Sequence, residues 1–169
     1  YQFCNLTEVV VRHNDTEETL IEKVKLAAIL GTIQSTFTKF PYLRKVWQKN
    51  TEEERLLGVS LTGIYDNPLL TTQGPRLNEL LNTLRDTARE TNREWAEILG
   101  IPASAAITCV KPSGTVSQLT DSASGIHPRH SPYYIRRVRG DKKDPLTQFL
   151  IDSGIPNEDC VHKPNQTTV

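Results

Sequence analysis

The densest run of potential chemistry is Lys111-Pro112-Ser113-Gly114-Thr115-Val116-Ser117. Pro112 fixes a bend, Gly114 lets backbone approach a ligand, and hydroxyls and amide N–H groups crowd into one turn, a suitable nest for phosphate oxygens. The Gly-Lys-Ser/Thr ending of a Walker loop is missing, and an ordinary polar turn is the plainer reading of these residue types alone. Three thiols come next. Cys109 lies in an apolar stretch and reads as a buried small hydrophobe, and Cys160, flanked by acids, reads as inert. Cys4, between Phe3 and Asn5, is left open by its neighbours. His127 and His130 are three apart with Pro128 nearby, so they do not share a helical face. No Cys-x-x-Cys or His-Glu-x-x-His spacing exists, so no metal site is expected. No Gly-x-Ser-x-Gly elbow supports hydrolase chemistry. Arg129, Arg136, Arg137, Arg139, Lys142 and Lys143 face only Asp141 in charge and surround Tyr133 and Tyr134. Such a strand could stack RNA bases, but alternating arginines also serve simply to keep an edge soluble, which is the preferred reading.

The elements that must position these groups alternate. Leu6 to Arg12 is short and β-branched, a buried strand. Asp15 and Glu18 have capping-box spacing, and the following helix carries Leu20, Val24, Ala27, Ala28, Thr32 and Phe37 on one side until Pro41 stops it near Phe40. Leu56 to Ile64 reads as a second strand. Gly74-Pro75 opens a long helix with Leu77, Leu80, Leu81, Leu84, Ala88, Thr91, Trp95, Ile98 and Leu99 at three-four spacing, closed by Gly100 and Pro102. Residues 105–110 read as a third strand and 133–139 as a fourth. A short helix starts at Asp144-Pro145 and ends at Gly154, and a last strand falls near the C-terminus. This is an α/β pattern of parallel strands joined by crossover helices, with no domain boundary within residues 1–169.

Composition narrows the classes. The 169 residues carry 20 Lys plus Arg and 20 Asp plus Glu, a formal charge of zero that argues against a global polyanion binder. Hydrophobic residues at 37% suffice for a core, and no run approaches the roughly 20 residues of a membrane span. An odd, widely spaced cysteine set fits a reducing compartment. With no methionine at all and a start at Tyr1, the expectation is the interior of a longer protein.

Five blocks occur in one order: Phe3-Cys4-Asn5-Leu6-Thr7-Glu8-Val9, Arg55 to Gly63, Lys111 to Ser117, Ser124-Gly125-Ile126-His127-Pro128, and Tyr133-Tyr134-Ile135-Arg136-Arg137. This series resembles the catalytic subunit of ribonucleotide reductase, most closely the monomeric, adenosylcobalamin-dependent class II ribonucleoside-triphosphate reductases. The resemblance implies a segment of a ten-stranded α/β barrel and a thiyl-radical reduction of the ribose 2′-hydroxyl started by adenosylcobalamin. It implies that Cys4 is the downstream member of the reducing cysteine pair, its partner lying outside this chain. It also implies that Ser113, Gly114, Thr115 and Val116 offer amides to the substrate phosphates, with Ser117 as a further hydroxyl and Lys111 as a possible added charge. The partners implied are the remaining reductase chain, a ribonucleoside triphosphate and a thioredoxin-like reductant in the cytoplasm, with neither membrane nor nucleic acid.

The departures define what the segment cannot do. The family's Asn-x-Cys-x-Glu motif, the partner of Cys4, the tail cysteines and the allosteric region are all missing, so the chain alone is expected to be inactive. Two rival readings stand beside the reductase. One is a free-standing phosphate-binding module built on residues 111–117, and the other is an RNA binder built on 133–139.

Overall fold

Asn5 begins a parallel ladder. In the computed structural model, which describes residues 1–169, strand β1 (Asn5–Val10) pairs with β2 (Leu57–Thr62) in register, Leu6 beside Gly58 and Glu8 beside Ser60. Between them run helix α1 (Glu17–Gln34) and helix α2 (Lys45–Glu54). After β2 come a short helix α3 (Pro68–Thr71), the long helix α4 (Pro75–Leu99) and a four-residue helix α5 (Val116–Leu119). The expected third strand is reduced to a parallel bridge between Thr108 and Val59, with the Leu57 amide donating to Ala106 O and the Cys109 amide to Val59 O. Two strands and a bridge make an open, parallel α/β arrangement. The resemblance implies a segment of a ten-stranded barrel; these residues show the α/β arrangement and do not by themselves close a barrel.

Two compact units emerge, residues 1–129 and 130–169, where the sequence showed no boundary. In the first, the core joins Val9, Val11 and Val59 of the sheet to Leu20, Val24, Ala27 and Ala28 of α1 and Leu80, Leu84 and Ala88 of α4. Each fully buried leucine or valine contributes about 1.5–3 kcal/mol, which is why these positions fix the packing. At the far end of α1, the buried Asn92 donates to Thr32 Oγ1 and to Ser104 Oγ, both at 2.9 Å, and its carbonyl accepts the Ser104 amide. One side chain thus ties α1, α4 and the approach to the third parallel segment.

Several expectations shift. The cap of α1 is Thr16, with Thr19 reciprocating, rather than Asp15 with Glu18. Asp15 instead accepts the Arg12 amide at 2.7 Å and pairs with Lys23. Helix α1 stops at Gln34, well before Pro41, because Ser35 and Thr36 turn their hydroxyls back on the last carbonyls. Helix α2 was not visible in the sequence: only Thr51 is buried, so no apolar period betrays it.

In the second unit, 133–139 form no strand, and Tyr133, Ile135 and Val138 stand well exposed. No strand ladders with this segment, and β propensity alone does not make a strand. The strands here are β3 (Gly140–Asp141) and β4 (Thr167–Thr168), paired antiparallel, with helix α6 (Pro145–Asp152) between them, capped by Asp144.

Candidate active site

Cys4 stands just ahead of β1, held on both sides. Before it, Phe3 stacks against Phe40 and Trp47 at centroid distances of 4.9 and 5.0 Å, and Tyr1 against Trp47 at 5.4 Å. The Phe3 amide donates to Thr51 Oγ1 and the Gln2 side chain to Glu54. After it, Asn5 uses both its amide and its side chain to bind Leu56 O. Helix α2, which the sequence hid, is therefore the clamp that fixes this thiol. Cys4 itself is exposed.

The sheet has two unlike faces. Thr7, Leu57 and Val59 turn toward α1. On the opposite face the strand alternation places Leu6 and Glu8 of β1 beside Gly58 and Ser60 of β2. Cys109 and Lys111 join them: Lys111 Nζ reaches Glu8 Oε2 at 3.2 Å across β2. The Glu8 side chain is 9% exposed, and its other oxygen, Oε1, is buried without a hydrogen-bond partner. A buried polar atom left unpaired is costly, so such atoms stand out as functional candidates.

Gly58 sits among the sulfurs. A Cβ at that position would stand 2.9 Å from Cys109 Sγ and 3.3 Å from Cys4 Sγ, besides striking Leu6. Cys109, read as buried, is in fact exposed and unpaired: its apolar neighbours in the chain are no guide, since its own side chain turns to the sheet face away from α1. Partial burial pushes the Cys4 thiol above its ordinary range, and Cys109 adds to the rise. Partial burial likewise raises Cys109, with Lys111 lowering and Glu8 raising it. Cys160, in the second unit, is buried, and amides from His162 and Lys163 together with Arg139 hold its thiol below the usual range.

The 111–117 turn follows the third segment directly. Ser113 has φ 46°, left-handed backbone that is strained for serine, and its buried hydroxyl has no partner. Gly114 has open space where a Cβ would be. The amides of Thr115 and Val116 find no acceptor within the chain, and both residues are exposed. Ser117 differs from its expected role: it is fully buried, and its hydroxyl donates to Gly114 O at 3.4 Å. The turn rests on Ser124-Gly125, a run the sequence marked as one of the five blocks but to which it assigned no role. Ser124 Oγ donates to Pro112 O at 2.9 Å, and Gly125, at φ 54°, lies so close that a Cβ would come within 2.7 Å of Lys111 O. Two hollows of 470 Å³ lie elsewhere, one along β1 and α1 and one lined by Arg12, His13, Asp66 and Arg129. Among all residues, no cluster of His, Cys, Asp and Glu could hold a metal ion, and no helix is long and apolar enough to cross a membrane.

No protein-family model matches the chain. It is 32% identical over 161 residues, 91% of its length, to a protein of Dictyostelium discoideum named "Probable adenosylcobalamin-dependent ribonucleoside-triphosphate reductase". It is 29% identical over 194 aligned residues, 98% of its length, to the adenosylcobalamin-dependent ribonucleoside-triphosphate reductase of Lactobacillus gasseri. A crystal structure of a B12-dependent, class II ribonucleotide reductase superposes over 99% of the chain with a TM-score of 0.72 at 26% identity. Sequence and fold agree that the chain is a homologue of the ribonucleotide reductases. Within them it matches the adenosylcobalamin-dependent ribonucleoside-triphosphate class, and it spans 20% and 25% of the two relatives and 26% of the solved chain.

Proposed function

We propose that this chain supplies part of the catalytic barrel of an adenosylcobalamin-dependent ribonucleoside-triphosphate reductase, making 2′-deoxyribonucleotides for DNA synthesis in the cytoplasm. The observation that carries the reading is the exposed Cys4, clamped at the head of β1 beside the sheet face that Lys111, the first residue of the 111–117 turn, reaches through Glu8. In this reading Cys4 and a thiol outside the chain give two electrons to the ribose. The 2′-hydroxyl leaves as water, and the two sulfurs become a disulfide that a thioredoxin-like protein reduces. The amides of Thr115 and Val116, with Gly114, receive the phosphates. Lys111 is engaged by Glu8, so it steadies the turn rather than reaching for phosphate. The strip of Cys4, Leu6, Glu8, Ser60, Cys109 and Lys111 gathers thiols and a Lys111–Glu8 pair on a face two strands and a bridge wide, which suits a small polar substrate and does not fit a corrin ring.

The test is a chimera in which the chain replaces the matching quarter of the Lactobacillus gasseri reductase. Deoxyribonucleotide formation is expected with Cys4 present and is expected to fall by about a hundredfold or more in Cys4→Ser, since a missing redox group removes a whole step rather than one contact. Full multiple-turnover activity in Cys4→Ser would overturn the reading. It would favour the rival of a phosphate-binding module without redox chemistry.

A further inference from the structure

We infer that Cys4 and Cys109 form a dithiol–disulfide couple within this chain, oxidised by a disulfide reagent of the cell's thiol pool. The inference goes beyond the reductase reading, in which the partner of Cys4 lies outside the chain, and it stands whether or not Cys4 reduces a nucleotide. Its ground is the gap over Gly58. The two sulfurs lie 2.9 and 3.3 Å from one point, so they are at most about 6 Å apart, those distances laid end to end. Any residue but glycine would fill that point. The thiols come from opposite neighbours of β2, and only the missing side chain lets them converge.

A bond of about 2.05 Å needs further approach, and its Cα atoms must close to roughly 7 Å or less. Both thiols stand at the margins of the ladder. Cys4 precedes the first ladder residue, with its neighbours Gln2, Phe3 and Asn5 anchored. The further approach therefore falls mainly to Cys109, which lies past the single bridge at Thr108 and is held there by its amide on Val59 O. Partial burial favours the protonated form of both thiols, the Glu8 charge adding to this at Cys109 and Lys111 opposing it, so attack on a disulfide reagent is slow and quickens as pH rises.

The chemistry balances through exchange. One thiolate attacks a low-molecular-weight disulfide, forms a mixed disulfide and expels a thiolate. The second protein thiolate then attacks the mixed disulfide and expels the other. Two S–H bonds of the protein are lost and one S–S bond forms. The reagent's S–S bond breaks, and its two sulfurs take up the protons as thiols.

The experiment treats the full chain with oxidised glutathione near pH 8, quenches with acid, alkylates, digests and maps the peptides by mass. A Cys4–Cys109 linked peptide, lighter by two hydrogens than its separate parts, is expected, with Cys160 remaining outside the link. Cys109→Ser abolishes the link and leaves glutathione on Cys4. Gly58→Ala, with a Cβ between the sulfurs, slows the linking by about tenfold or more, because exchange rates depend on access to the attacked sulfur. Should Gly58→Ala fail to fold, the same comparison is made in Cys160→Ser, where the link must persist. Separate glutathione adducts on Cys4 and Cys109 with no link, or a link to Cys160 instead, would overturn the couple. Loss of reductase activity in the Cys4→Ser chimera bears on the earlier reading alone, so the two can fail independently.

Discussion

Gly58 and Gly114 are glycines for opposite reasons. At Gly58 a side chain would collide with Leu6 and two sulfurs, whereas at Gly114 there is nothing within 4 Å for it to meet. Gly114→Val therefore costs the fold little, beyond the β-branched residue's narrower backbone range. Its expected effect is on the ligand: nucleotide affinity of the chimera at fixed salt falls about tenfold, as a branched side chain holds phosphate off the amides of Thr115 and Val116. Unchanged affinity alongside unchanged stability would make the stretch an ordinary turn. The sequence singled out this turn and Cys4 because both sit in short, distinctive runs. It misplaced Cys109 because Ile107 and Val110 advertise a buried strand, and a linear reading cannot see which face a thiol takes. Glu8 was invisible as a functional candidate for a related reason: its buried, unpaired oxygen exists only once Lys111 arrives from the far side of β2.

Among the elements, those that carry an apolar period were readable and those that work through polar or aromatic contacts were not. The boundaries of α4 follow from Pro75 and Gly100, and the three-four spacing gives part of its buried face: Leu80, Leu84, Ala88 and Thr91 are buried, whereas Leu81, Ile98 and Leu99, expected with them, are exposed. Helix α2 has no such face and earns its place through Trp47, Thr51 and Glu54 holding the approach to Cys4. The strand expected at 133–139 fails for the converse reason, a suitable pattern with no strand laddered to it. Helix α1 keeps Leu26, Leu30 and Ile33 exposed, and this outer stripe explains why its apolar residues do not sort cleanly to one side. The join between α1 and α4 rests on a polar device. Asn92→Leu leaves Thr32 Oγ1 without its donor and strips the Ser104 amide of its acceptor. The expected loss is about 1–3 kcal/mol of unfolding free energy, the cost of leaving a buried polar group unpaired, read by urea denaturation. Stability equal to or above the parent's would show that the three elements are held by apolar packing alone.

At the scale of the whole molecule, net charge is zero, so long-range electrostatics neither steer nor strain it, and pH acts through particular pairs. The decisive one closes the first unit at the C-terminal ends of its strands. Asp66, just past β2, accepts Arg129 Nε at 2.9 Å and the Ala123 amide at 2.7 Å, while Arg12, past β1, donates to Asp121 O at 3.1 Å. Burial pushes the Asp66 carboxyl up, but Arg129, the Ala123 amide and Arg12 together outweigh it and hold the group below its ordinary range. A carboxyl whose pKa is lower folded than unfolded binds more protons in the unfolded state as acid is added. Its stabilising contribution is therefore complete above the unfolded value of 3.8 and drains away as pH falls through the folded one. Asp15, pulled down by Lys23, the Arg12 amide and Thr19 against its own burial, acts in the same direction. Asp66→Asn is expected to cost about 1–3 kcal/mol at neutral pH, chiefly through the hydrogen bonds of Ala123 and Arg129, with the exposed half of Arg129 limiting the ionic share. The gap between parent and variant should then narrow as pH drops below about 4, where the parent's carboxyl also loses its charge. Urea unfolding at a series of pH values measures it, and a gap that stays constant down to acid would mean that the charge of Asp66 contributes nothing.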